Sequence, residues 1–363
     1  MKLLCLATYP LESASTRYRA LQYIPLLREL GIETTFLPFM DSPFFRSFYQ
    51  PRYKVRKALR LMGFAARRAA QISRARDYDV VFIQREAALL GPPLAERWLA
   101  KVARKPLIFD FDDAVQVAFE SPVYGRVATL LKNPQKTPQI IQMSHSVIAG
   151  NRHLETYAKT LNPRVSVIPT VVDADVMRPA RRDNGGKIVL GWMGTHTTFP
   201  YLETLFPTLQ TLAKQHPIVL RVVGAGREFS LPGVEVDNRR WSLSSEISDL
   251  QSFDIGLYPI TSDEWSLGKS GFKAVQYMAI ATPVVAAPVG ATCDIVRDGV
   301  EGFLPDSPDA WLEKLQLLIE DASLRQTLGQ AGRARVEEWY CLEKQAPRLA
   351  AIVRETAKSA SQS

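Results

Sequence analysis

The chain is poor in cysteine and histidine and has no long apolar run, and each shortage excludes a class of protein. Cys5, Cys293 and Cys341 are the only three cysteines in 363 residues, odd in number and far apart. That excludes a disulfide framework and a clustered zinc site, and it fits a reducing cytoplasm. Of the four histidines, His145, His153 and His216 fall in helix-like contexts and read as structural, leaving His196. No apolar stretch approaches the ~20 residues of a spanning helix. The opening run Leu3–Ala7 meets Thr8, Tyr9 and Pro10 too soon for a signal peptide, so none is expected.

What is present is an ordinary globular composition, 46% hydrophobic and 23% charged. At a prior of ~150 residues per domain, it is enough chain for about two cores. The net charge of +8 is unevenly spread: Arg46–Lys105 carries 15 Lys/Arg against four acids, a local +11, and the remainder sums to −3. A basic block with Phe44, Phe45, Phe48 and Tyr49 beside it suits an anionic membrane surface, though a solvated helix face is an equally ordinary reading. No nucleic-acid motif or interleaved aromatic platform accompanies it, so no nucleic-acid partner is expected.

Short apolar strands alternate with helix-forming stretches. Leu3–Ala7, Ile32–Phe36, Asp79–Gln84, Pro106–Phe111, Ser146–Ala149 and Pro163–Pro169 read as strands. Thr16–Leu30 reads as a helix stopped by Gly31. Arg52–Arg76 reads as a helix packed through Val55, Leu59, Met62, Ala66, Ala69 and Ile72. The breaker-rich Asp173–Gly186 reads as a linker. The pattern then restarts with strands at Lys187–Trp192, Ile218–Val223, Ile255–Tyr258 and Pro283–Ala286. Helices are expected at Tyr201–Gln215, Ser244–Ser252 and Phe272–Ile280, and from Asp309 to about Lys358. Two consecutive α/β units with parallel sheets follow, and ligands in such sheets bind beyond the carboxyl ends of the strands.

Several loops at those ends carry chemistry. Gly268-Lys269-Ser270 is not a Walker A, because the glycine needed five residues earlier is Asp263. It does lead into the helix at Phe272, whose N-terminus attracts anions, and four-residue spacing lets Lys269 and Lys273 face one diphosphate. Gly224-Ala225-Gly226 lacks the third glycine of a dinucleotide fingerprint. Asp110, Asp112 and Asp113 end one strand; their mutual repulsion raises at least one pKa, which suits a general base, a metal or a hydroxyl-rich substrate, while a helix cap is the plainer alternative. Ser15, Thr16, Arg17 and Arg19 open a helix after the first strand and resemble an anion cradle.

The stretch Asp254–Leu304, with "DEWSLGKSGFKAVQYMAIATPVVAAPVGATCDIVRDGVEGFL", resembles GT-B glycosyltransferases of family 4. "STRYRALQYIPLLRELG" and "VIAGNRHLETYA…VSVIPTVVD" extend the likeness over nearly the whole chain. The resemblance implies an α/β fold of two Rossmann-like domains facing a central cleft. Residues 1–175 would form an acceptor-side domain and 176–186 a linker. Residues 187–340 would form a nucleotide-sugar domain, and 341–363 a C-terminal helix that returns to the first. It implies sugar transfer from a nucleoside-diphosphate sugar to a glycan, a lipid-linked saccharide or another hydroxyl acceptor. The reaction would be retaining, without metal or other cofactor, in cell-surface polysaccharide or glycoconjugate synthesis. The protein would be cytoplasmic, peripheral to the membrane's inner face.

On this reading Gly194, Thr195, Ser270, Gly271, Phe272, Lys273 and Gln276 hold the donor with Lys269. Lys269, His196, Asp112 and Asp113 act at the reacting centre, and Ser15, Thr16, Arg17, Arg19 and Asn151 lie on the acceptor or phosphate side. The sequence departs from the family pattern at three places. The paired glutamates fall at Gly268 and Gln276, the Arg and Lys expected after Gly194 are absent, and the histidine after the Asp110 strand is Asp112. Three rivals remain: a sugar-nucleotide 2-epimerase, which needs no acceptor; a metal-dependent transferase built on the Asp-x-Asp of Asp110 and Asp112; and a basic nucleic-acid-binding protein.

Overall fold

The computed structural model describes residues 1–48, 53–115, 117, 133, 135–180 and 185–361, so Tyr49 and residues 181–184 of the expected linker lie outside it. The chain divides into two compact units. The first comprises Met1–Thr170 and Leu342–Ser363, with residues 268–270 grouped with it, and the second comprises Val171–Leu267 and Gly271–Cys341.

The first unit is a parallel sheet of β1 (Lys2–Ala7), β2 (Glu33–Pro38), β3 (Val80–Gln84), β4 (Leu107–Phe111), β5 (Ser146–Ala149) and β6 (Val165–Val167), in the order β2-β1-β3-β4-β5-β6. Its helices are α1 (Ala14–Arg19), α2 (Ile24–Glu29), α3 (Ser42–Phe48), α4 (Lys54–Ser73), α5 (Leu94–Arg97), α6 (Lys136–Met143) and α7 (Arg152–Lys159). The register sets Ala7, Gln84, Asp110 and Ile148 side by side near the carboxyl edge. One face of the sheet buries Leu4, Leu6, Val81, Ile83, Phe109 and Phe111. Each such side chain is worth about 1.5–3 kcal/mol relative to exposure.

The second unit repeats the plan with β7 (Ile188–Met193), β8 (Ile218–Val223), β9 (Glu235–Arg239), β10 (Ile255–Tyr258), β11 (Val284–Ala286) and β12 (Gly302–Phe303), ordered β12-β11-β10-β7-β8-β9. Around it lie α8 (Phe199–Glu203), α9 (Phe206–Ala213), α10 (Glu246–Gln251), α11 (Glu264–Leu267), α12 (Phe272–Ala279), α13 (Thr292–Ile295), α14 (Pro308–Glu320) and α15 (Ala322–Trp339). The last helix, α16 (Leu342–Ser361), belongs to the first unit, where Arg348 donates to the Val167 carbonyl at 3.0 Å and Ser146 and Thr356 pair hydroxyls at 2.8 Å.

Three expectations change. The helix expected over Thr16–Leu30 is α1, a 3₁₀ turn at Leu21–Tyr23 and α2, because Pro25 has no N–H for the Leu21 carbonyl. Pro207 divides Tyr201–Gln215 between α8 and α9 in the same way. The third change concerns α4: Val55, Leu59 and Met62, expected to pack inward, are 76%, 63% and 69% exposed. Phe64, Arg68 and Ile72 form the inner face instead. Phe64 meets the rings of Phe39 and Phe44 edge-on, and the Arg68 guanidinium donates to the Ala7 and Leu37 carbonyls at 3.0 and 3.1 Å. Among the described residues, no helix is long and apolar enough to cross a membrane.

Cys5 and Cys341 are buried and Cys293 is exposed. Burial pushes the Cys5 thiol up to about 12, with the Asp110 carboxylate adding to the shift, so this sulfur stays protonated and inert at neutral and mildly alkaline pH. A thiol-reactive reagent should therefore label Cys293 in the native chain, and all three cysteines only after unfolding. Peptide mapping of the labelled protein checks this, and rapid native labelling of Cys5 would contradict the burial described.

Candidate functional site

In the first unit, the carboxyl edge is held by two guanidinium groups. The Arg19 side chain, 3% exposed, grips Asp110 with two nitrogens, one of them Nε at 3.2 Å from Oδ2, and its Nη1 donates to the Ile168 carbonyl at 2.6 Å. Burial raises the Asp110 carboxyl above its ordinary range, opposed by the Arg19 charge. Burial also disfavours the Arg19 cation, but the adjacent Asp110 carboxylate outweighs it and keeps the guanidinium protonated. Arg85 donates through Nε and Nη2 to Asp112 Oδ1 at 3.1 and 2.9 Å, and through Nη2 to Asp113.

The three carboxylates are thus countered rather than free. Asp112, expected to act at the reacting centre, is 4% exposed and paired with Arg85, which fixes the strand end. Asp110 and Asp112 likewise offer no open pair for a metal. Asp113 remains partly exposed, its side chain at 25%.

The expected cradle around α1 is also turned inward. Thr16 is fully buried and its hydroxyl donates to the Tyr9 carbonyl at 3.2 Å. Arg17 donates to the Glu12 carbonyl at 3.1 Å and lies 5.2 Å from the Tyr18 ring. Ser15 is half-buried with its hydroxyl 3.1 Å from that of Ser13. Thr16 and Arg19 thus bond to groups within the unit. Asn151 caps α7: its Oδ1 accepts from the Leu154 amide at 2.8 Å, and its Nδ2 donates to the Gly268 and Lys269 carbonyls at 3.1 and 2.9 Å. Gly268 stands where the family pattern has a glutamate, and a Cβ there would lie 2.4 Å from the Ala114 methyl.

In the second unit, β7 ends in a tight loop. Gly194 donates to the Val223 carbonyl at 3.0 Å, and a Cβ on it would strike the Trp192 ring at 2.3 Å. The Thr195 amide bonds the Thr198 hydroxyl at 2.9 Å, and the exposed His196 projects from the turn between them. Tyr277 on α12 joins two strand ends, its hydroxyl accepting from the Met193 amide at 3.1 Å and donating to the Leu257 carbonyl at 3.4 Å. Its complete burial raises the phenol above its ordinary pKa.

Helix α12 begins where the βαβ crossover returns from the carboxyl end of β10, so its N-terminal amides lie at that edge. Gly271, at φ +64°, precedes it in the left-handed region that favours glycine. Lys269 therefore lies outside the helix, and the helical spacing expected to align it with Lys273 does not apply. The Lys273 ammonium donates instead to Gln276 Oε1 at 2.7 Å. Gln276, expected as a ribose contact, is fully buried. Lys269 and Ser270 are half-buried.

Sequence reasoning passed over Arg85 and Tyr277. The signal for Arg85 was its position one residue beyond a strand end, facing the acids of the next strand. For Tyr277 it was an aromatic on the second turn of the helix that opens at Phe272.

Comparison with known proteins adds to this geometry. Residues 187–321 match the family model described as glycosyl transferases group 1. The capsular polysaccharide biosynthesis glycosyltransferase CapM of Staphylococcus aureus is 32% identical over 100 residues, 27% of this chain and 25% of that protein. A D-inositol 3-phosphate glycosyltransferase of Segniliparus rotundus is 25% identical over 54% of this chain and 49% of its own length. The matches thus span from a quarter to about half of these curated relatives. The structure of Anabaena HepE in complex with UDP and glucose superposes with a TM-score of 0.70 at 16% identity, covering 98% of this chain and 100% of that one. Two six-stranded parallel sheets with this likeness define the GT-B fold.

Breaking the Arg19–Asp110 pair from one side leaves a buried charge without its counter-ion. Asp110→Asn should cost about 3–5 kcal/mol of stability, and the double change Arg19→Met with Asp110→Leu should cost less than either single change. Denaturant unfolding of the three variants tests this, and a harmless Asp110→Asn would refute the structural role.

Proposed function

We propose that the chain is a glycosyltransferase of family 4 that moves a sugar from a nucleoside-diphosphate sugar to a hydroxyl on a glycan or a lipid-linked saccharide. The reading places it on the cytoplasmic side of an anionic membrane, in cell-surface polysaccharide or glycoconjugate synthesis. The observation that carries the proposal is a coincidence. The matched residues 187–321 contain α12, whose N-terminus lies at the carboxyl edge with a left-handed glycine before it and a lysine in its first turn.

Backbone amides at a helix N-terminus and its positive dipole end favour a diphosphate. The Lys273 ammonium, steadied by Gln276, would add a full charge, with Lys269 the second cation in the adjoining sequence. The loop of Gly194, Thr195 and His196 would meet the sugar or the phosphates. As the bond from the anomeric carbon to the diphosphate breaks, negative charge grows on the leaving oxygen, and these groups oppose it. The acceptor oxygen replaces that bond, and its proton passes to the released phosphate. Retention and independence of a metal are what the family resemblance implies, and in this reading lysines and amides supply the charge stabilisation that a metal would otherwise give. Of the two carboxylates on Arg85, Asp113 is the more exposed and would orient the acceptor hydroxyl.

Thermal-shift measurements with a panel of nucleoside diphosphates and their sugars test donor binding, beginning with UDP, which HepE holds. Lys269→Ala and Lys273→Ala should each leave the protein folded while lowering turnover about 100-fold or more. Near-normal turnover in both would remove these lysines from the mechanism. Conversion of the donor with no acceptor present would favour a 2-epimerase instead.

A further inference from the structure

We propose that the outward face of α4, together with the α5 turn beside it, docks on a phospholipid bilayer with an anionic headgroup surface. This extends the membrane part of the proposed function and uses no residue of the donor site.

The inner face of α4 is fastened by Phe64, Arg68 and Ile72. The outer face carries Val55, Leu59 and Met62 at 76%, 63% and 69% exposure, with Tyr53 at 71% just ahead of the helix. Positions 55, 59 and 62 lie along one stripe of a helix. Single exposed apolar side chains are common on soluble proteins, but a continuous large-residue stripe marks an interaction surface. Helix α5 packs against α4 and adds Leu94 at 65% exposure, and Val102, five residues beyond α5, is 59% exposed.

The surroundings of the stripe choose the occupant. Helix α4 contains Lys54, Arg56, Lys57, Arg60, Arg67 and Arg68 and no acidic residue. Arg56, Arg74, Arg76, Lys101 and Arg104 are exposed, and none has a carboxylate within salt-bridge reach among the described residues. An apolar stripe on a helix whose charged residues are all basic is the pattern of a helix lying in the plane of a membrane interface, its stripe among acyl chains and its cations at phosphate depth. A second copy of the chain docking through the same patch would set these cations against one another across a two-fold axis. A nucleic acid would match the cations but leave the apolar centre without a partner.

Flotation of the full chain with vesicles tests the proposal. Phosphatidylcholine vesicles provide the neutral surface, and an equal mixture with phosphatidylglycerol provides the anionic one. The expected result is binding to the anionic vesicles, weakening with salt, and little binding to the neutral ones. Leu59→Gln with Met62→Gln should lower vesicle binding about tenfold or more while leaving the melting temperature unchanged, because both side chains point to solvent. Arg74→Gln with Arg76→Gln should reduce both the affinity and its salt dependence.

Equal binding to both vesicle types, no binding, or binding untouched by the Leu59 and Met62 changes would overturn the proposal. So would a dimer that those changes dissociate, or oligonucleotide binding that outcompetes the vesicles. Donor thermal shifts on the same samples separate the two readings: vesicle binding without any nucleotide shift leaves the docking surface standing and sinks the transferase.

Discussion

Two arginines decide how the first sheet can end. Strand β4 closes with three aspartates in four positions, a cluster that burial and mutual repulsion would otherwise drive toward protonation or out to solvent. Arg19 arrives from α1 and Arg85 from the residue after β3, and each meets its carboxylates in a geometry that matches a planar guanidinium. Arg19 also continues to the Ile168 carbonyl, so one side chain ties together α1, β4 and the segment after β6. Arg85 reaches its partners from a backbone with φ +64°, a conformation few arginines adopt, and the ion pairs hold it there. Groups that looked available for chemistry at this edge are therefore engaged in holding the strand ends together, and Asp113, its side chain 25% exposed, is the most accessible of the three carboxylates.

The same logic explains the orientation of α4. Its apolar periodicity alone directs Val55, Leu59 and Met62 inward. The structure turns the helix so that one arginine, Arg68, reaches the ends of β1 and β2 while Phe64 enters the aromatic cluster of Tyr9, Phe39 and Phe44. Arg60 lies over the Phe44 and Phe64 rings and pairs with Asp41, which secures the same rotation from the other end. Two hydrogen bonds to strand-end carbonyls and one aromatic packing site thus outweigh a longer stripe of aliphatic side chains.

The legible parts of the sequence were those with local causes. The buried strands stand out as short apolar runs, and the restart of the pattern at Lys187 marks a second sheet. The polar edge strand Glu235–Arg239 and the two-residue Gly302–Phe303 passed unnoticed, because neither carries enough apolar residues to distinguish it from loop. Helix interruptions at Pro25 and Pro207 were written in the sequence and lost to the stronger periodic signal. At the candidate site the residue types were visible but their partners were not. Arg19 and Asp110 are separated by 91 positions, and no local pattern announces that one will neutralise the other. Lys273 and Gln276 are three apart, yet their contact was hidden by the roles that family resemblance assigned to each.

The last helix gives the chain an unusual order of assembly. Residues 342–361 complete the first unit, but the whole Val171–Cys341 stretch, which forms the second unit apart from residues 268–270, is synthesised before them. At ribosomal rates that interval is about 10–30 s. Throughout it the N-terminal sheet exists without the helix that covers part of its surface, and by its end the later-made unit has all of its own strands. The portion of the protein that is translated first is thus completed only after the second unit's chain has been made, and its uncovered sheet must be shielded from aggregation in the meantime.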